Sequence, residues 1–130
     1  MAAQVFFIPV DGTAEGSSVP ERVARLADAV GITELVGSDF LYMLKIHFGE
    51  RGNNTYLNPS WVRPLVERVQ GAGSKVFVSD TNTLYVGSRS NAVDHLTVAR
   101  EHGFTHEALG APVMIADGLV GENQSCVEVN

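Results

Sequence analysis

The 130 residues, 45% of them hydrophobic, suffice for one domain with one core. A formal net charge of -6 with only 9 Lys and Arg argues against a nucleic-acid-binding surface, which needs clustered cations to displace counterions from phosphate. A single cysteine, Cys126, excludes an intrachain disulfide and a Cys-rich metal framework, so a reduced, cytoplasmic setting is the expectation.

The N-terminal run MAAQVFFIPVDG has no basic region ahead of its apolar stretch, and Pro9 and Asp11 close that stretch early. It reads as a first strand, Val5 to Val10, and not as a signal peptide or a membrane span. A small-residue loop follows. Pro20 then stands where a first-turn proline is tolerated, Val23, Leu26, Ala27 and Val30 recur at helical spacing, and Gly31 supplies the stop. FLYMLKIHF, Phe40 to Phe48, is the second strand, with Leu44, Ile46 and Phe48 on one side and Lys45 and His47 on the other. Asn58 and Pro59 open a helix with the apolar stripe Trp61, Val62, Leu65, Val66 and Val69, slightly spoiled by Pro64.

KVFVSD, Lys75 to Asp80, is the third strand, β-branched and short. The polar loop TNTLYVGSRSN leads to a helix that Ser88 or Ser90 can cap, with Asn91 in its first turn and Ala92, Leu96 and Ala99 as its buried line. His95 falls at the boundary of that stripe. Ala111 to Asp117 forms a fourth strand, and CVEV a possible fifth. Strands alternating with helices predict an α/β fold: a three-layer α/β/α sandwich around a mostly parallel sheet of four to five strands. The chain stops at VEVN within a strand-like run, so it reads as residues 1–130 of a longer protein.

Ligands of open parallel sheets bind beyond the carboxyl ends of the strands. Asp11, Lys45 with His47 and Glu50, Asp80 with Thr81 and Asn82, and Asp117 all fall at such ends. As a site, Lys45 would bind or polarise an anion and His47 would be a general base; proton transfer beside a carboxylate or phosphate is the chemistry they could serve. Asp80, Thr81, Asn82, Arg89 and Asn91 would hold the ligand, a small anionic molecule placed by Arg89 and the following helix start. His47, Asp80 and His95 are the residue types for a divalent metal, although no diagnostic spacing joins them. Asx-type turns, an ordinary helix cap and a hydrogen-bonded core histidine are the rival readings of the same residues. His102 and His106 read as surface residues. Neither glycine-rich loop fits a P-loop or dinucleotide fingerprint, and no nucleophile elbow is present.

LKIHFGERGNNTYLNPSWVRPLV, VSDTNTLYVGSRSNAVDHLTVAREHGF and GAPVMIADGLVG together resemble the N-terminal part of the domain of unknown function 362 family, often described as uncharacterised Fe–S centre proteins. Lys45, His47, Glu50, Asp80, Thr81, Asn82, Arg89, Asn91, His95 and Asp117 lie within the matching motifs. The resemblance implies a second segment as partner and, in many members, four-iron four-sulfur clusters. With Cys126 alone this chain departs from the cluster-binding pattern, and no catalytic roles come with the family. A structural or interaction module that meets the second segment is the competing expectation, and the non-cluster part of an electron-transfer protein a further one.

Overall fold

The computed structural model describes residues 3–10 and 17–129. Ser18 opens helix α1 (Val19–Val30) with a capping box: its hydroxyl accepts the Glu21 amide while the Glu21 carboxylate accepts the Ser18 amide, satisfying two donors that the helix start leaves free. Gly31, at φ 72°, ends α1 and leads into the single turn α2 (Ile32–Leu35). Strand β1 (Leu41–Lys45) is followed by α3 (Pro59–Gly71), capped by Asn58, with Pro59 in its first turn and Pro64 buried within it. Then come β2 (Lys75–Asp80), α4 (Ala92–Glu101), the short α5 (His106–Leu109) and β3 (Val113–Ile115).

The strands form a parallel sheet in the order β1-β2-β3, so the α/β class holds. Each crossover advances one place in the same direction, and right-handed connections then put the helices on one side. That side carries the core. Tyr42, Leu44, Val76, Val78, Val113 and Ile115 meet the α3 stripe Val62, Val66 and Val69, together with Ala92 and Ala99 of α4 and the fully buried Phe48, Phe104 and Leu109. Helix α1 packs on α3, where Arg68 grips both carboxylate oxygens of Asp28 at 2.9 and 2.8 Å. The opposite sheet face is left partly open among the described residues, although Ser79 on it is buried. Met43 lies across from Phe77 and Ser79 across from Met114, which places Leu41, Met43, Phe77 and Met114 on it; Leu41 is 69% exposed.

Several expectations are corrected here. The described residues hold three strands in place of four to five, and one helical side in place of a three-layer sandwich. Val5 to Val10 joins no ladder. Val5 and Phe7 are exposed, Pro9 has no amide to donate, and its carbonyl accepts from Arg22 Nη1 at 2.7 Å instead. The second strand stops at Lys45, since the chain turns at Gly49 to reach the helices, and the fourth shrinks to Val113–Ile115. CVEV is exposed and outside any strand. Asp11 lies outside the described residues. In α4 the cap is Asn91, and the buried line is Ala92, His95, Val98 and Ala99, because Leu96 points outward.

Phe104 sits in the densest part of the core, with its ring centroid 4.9 Å from that of Phe48. Phe104→Ala is expected to lower unfolding free energy in urea titrations by about 3–5 kcal/mol. Leu84→Ala, at a fully exposed position, is expected to change it by less than about 0.5 kcal/mol.

Candidate functional site

The carboxyl ends of β1 and β2 meet at Asp80, which is 2% exposed. A buried carboxylate needs donors on both oxygens, and the chain supplies them from several elements. On Oδ1 it receives Lys45 Nζ at 2.5 Å and the Thr81 amide at 2.9 Å. On Oδ2 it receives the Phe48 amide at 3.2 Å and Arg89 Nη1 at 3.3 Å. His95 Nε2 stands 3.2 Å from the same Oδ2 but is not aligned as a hydrogen bond, so both ring nitrogens of this fully buried histidine lack a hydrogen-bond partner among the described residues.

Arg89 extends the charge sequence. Its Nε donates to Glu50 at 2.7 Å and its Nη2 to the Tyr85 hydroxyl at 2.8 Å; Tyr85 and Ser88 in turn donate to Glu50 at 3.1 and 3.0 Å. The result is an alternating row of Lys45, Asp80, Arg89 and Glu50. Burial alone would push the Asp80 carboxyl up, but the adjacent His95 ring, the Lys45 ammonium and the Thr81 and Phe48 amides outweigh it and hold the group well below the usual carboxylate range. Glu50 is lowered chiefly by Arg89. The Arg89 guanidinium is raised: burial works against its charge, and the Glu50 and Tyr85 contacts outweigh that.

The turn that brings Glu50 to Arg89 depends on Gly49. Its φ is 88°, and a Cβ there would lie 2.8 Å from both His102 Nδ1 and Tyr56 Cδ1. His102, expected on the surface, is half-buried: its ring stacks on Tyr56 at 4.0 Å and its Nδ1 lies 2.7 Å from the Phe48 carbonyl. His106 is exposed. His47 is exposed too, and its Nδ1 accepts the Gly49 amide at 3.0 Å, which leaves the proton of a neutral ring on Nε2.

Beyond β2 and β3 the two following loops are laced together. Asp117 accepts the Asn82 amide at 2.9 Å on Oδ2 and Asn82 Nδ2 at 3.2 Å on Oδ1, while Nδ2 also reaches the Gly118 carbonyl at 2.8 Å. The Asn123 amide returns to the Asp117 carbonyl at 3.0 Å. Between these loops lies a cleft of about 340 Å³ lined by Thr81, Asn82, Thr83, Asp117, Gly121 and Asn123, with Leu84, Val120 and Gln124 completing it. Asn82 Oδ1 is buried beside it without a donor.

The sequence-expected residues therefore divide. Lys45, Asp80, Thr81, Arg89 and His95 are brought together around one carboxylate, and Asn82 joins Asp117 instead. Asn91 is consumed as the α4 cap, its Oδ1 accepting the Val93 and Asp94 amides, and the Ala92 amide goes to the Leu119 carbonyl. The amides of the helix start expected to hold an anion are thus filled by the chain itself, and the Arg89 guanidinium is engaged by Glu50, Asp80 and Tyr85. His47 does not join Asp80 and His95: among the described residues no three His, Cys, Asp or Glu side chains are grouped to hold a metal. Tyr85, Gly121 and Asn123 escaped the sequence reading. The glycine-flanked turn after Asp117 was the signal for Gly121 and Asn123, and Tyr85 lay within the polar loop TNTLYVGSRSN.

A one-sided parallel α/β domain with a buried ion row at the strand ends is the class these features define. A family model, described as Domain of unknown function (DUF362), matches residues 43–130, and the chain belongs to that family. No curated protein and no solved structure matches it. A four-iron four-sulfur cluster takes four thiolates, and the one cysteine here, Cys126, is exposed, so the residues present do not fit that group. Among the described residues no helix is long and apolar enough to cross a membrane.

Asp80 has a folded pKa below its unfolded value, so its contribution to stability is complete above about pH 4 and is lost as pH falls further. Asp80→Asn is expected to flatten that acid limb in denaturation curves taken between about pH 5 and pH 2. At neutral pH, Arg89→Met, which strands two carboxylates, is expected to cost about 3–5 kcal/mol.

Proposed function

We propose that this chain is a ligand-binding domain whose site is the cleft at the carboxyl ends of β2 and β3. The observation that carries the reading is that polar concavity, whose lining is held in place because the Asn82 side-chain amide is locked by Asp117 and Gly118. Its position agrees with where parallel sheets bind small molecules. The Asp80 row is then the rigid floor that fixes Thr81 and the loop behind it. Lys45 and His47 are the amine and imidazole of the same edge, and a reaction there would draw on them for proton transfer. With Arg89 and the α4 start engaged, the support for an anionic ligand is weak, and the polar cleft is favoured over them.

A second reading, a structural module that meets a further segment of the family architecture, rests on the partly open face of Leu41, Met43, Phe77 and Met114, since parallel sheets are ordinarily covered on both sides.

Native mass spectrometry and backbone-amide NMR separate the two. A small molecule retained by the gently purified chain, or accepted from a metabolite mixture, is expected to shift the amides of 81–83 and 117–123. Asn82→Leu is expected to weaken it by about tenfold or more. Shifts confined to Met43, Phe77 and Met114, with concentration-dependent sedimentation that Met43→Lys abolishes, would instead establish the structural module.

A further inference from the structure

We propose that the molecule this cleft takes is an organic ammonium ion that donates hydrogen bonds; the proposal rests on the cleft being the binding site. Several backbone amides of the two loops are spent inside the chain: Thr81 on Asp80, Asn82 on Asp117, Thr83 on the Arg89 carbonyl, and Asn123 on the Asp117 carbonyl. The Asn82 side-chain amide is spent twice, on Asp117 and on the Gly118 carbonyl. The Thr83 hydroxyl donates to the Tyr85 carbonyl at 3.1 Å, which leaves its oxygen as an acceptor. Of these groups, Thr83 Oγ1 and the spare lone pairs of the Asp117 carboxylate remain as acceptors toward the cleft, where the side-chain amides of Asn123 and Gln124 are the other polar lining.

Charge points the same way. Asp117 is the one ionisable side chain lining the cleft, and no Lys or Arg pairs with it among the described residues. The nearby cations of the strand ends, Lys45 and Arg89, are held by Asp80 and Glu50. A phosphate or carboxylate here would face a carboxylate with no compensating cation. A protonated amine supplies both the charge that Asp117 lacks and the N–H groups that the acceptors lack, and charge-assisted bonds of this kind are the stronger ones. Leu84 and Val120 are exposed at the cleft and can cover the carbon body of such a molecule. A divalent metal is the less suitable cation, since the cleft contributes a single carboxylate and hard ions take several charged oxygens.

The test follows the amides of 81–83 and 117–123 by NMR while the wild-type chain is titrated separately with 1,4-diaminobutane, tetramethylammonium chloride, inorganic phosphate, glucose and magnesium chloride. Saturable shifts with 1,4-diaminobutane are expected, at least about tenfold weaker in Asp117→Asn, and at least about tenfold weaker for tetramethylammonium, which has the charge but no N–H. Equal binding of the diamine and tetramethylammonium would overturn the donor argument without any variant being needed. Saturation of the same amides by phosphate, glucose or magnesium and not by the diamine would overturn the ligand class while leaving the cleft as the site. Absence of saturable shifts at these amides with every probe would overturn both.

Discussion

The carboxylate of Asp80 is the constraint around which the functional edge is arranged. Placed almost out of solvent at the end of a central strand, it would destabilise the fold unless every lone-pair direction were answered, and the answers come from different parts of the chain. Lys45 and the Phe48 amide arrive from the continuation of β1, the Thr81 amide and Arg89 from the loop after β2, and the His95 ring from α4. One group thereby fixes the relative positions of a strand end, an eleven-residue-scale loop and a helix. Arg89 passes the constraint outward to Glu50, Tyr85 and Ser88, so the turn after β1 is held by the same set of bonds.

This explains the polar residues of KIHFGE without giving each of them chemistry. Lys45 and Glu50 terminate the two ends of the ion row, Phe48 enters the core, and Gly49 is the only kind of residue that the space between His102 and Tyr56 accepts. His47 alone keeps an exposed ring with a free Nε2. The proposed ligand site lies one strand further along, at the loops after β2 and β3, where Asn82 and Asp117 bind each other.

Periodicity made much of the architecture legible. The stripe of α3, the Asn58 and Pro59 start, the Gly31 stop and the β-branched run of β2 are local signals, and each stands where the sequence places it. What failed was non-local. A run such as VFFIPV has strand composition, but whether it pairs depends on a free edge and on an amide that Pro9 lacks; whether helices cover one face or two depends on strand order, which composition does not encode. The site shows the same division. Asp80 and Lys45 were recognisable at strand ends and Arg89 beside a helix start, whereas their mutual neutralisation required distances. His95 looked like a boundary residue because its helix was given Leu96 as its buried line, and a shift of one position takes it to complete burial.

The ion row also separates two responses to salt. Arg51–Glu101, Arg63–Glu67 and Arg68–Asp28 join loops and helices at the protein's exterior, where mobile ions reach them and screen them within about 10 Å at 0.1 M. Lys45, Asp80, Arg89 and Glu50 alternate in sign and sum to zero, and the Asp80–Arg89 contact at their centre is closed to solvent. Ionic strength therefore acts first on these outer pairs and least on the closed centre of the row, so the meeting of the β1 and β2 ends at Asp80 is decoupled from the looseness of the scaffold around it.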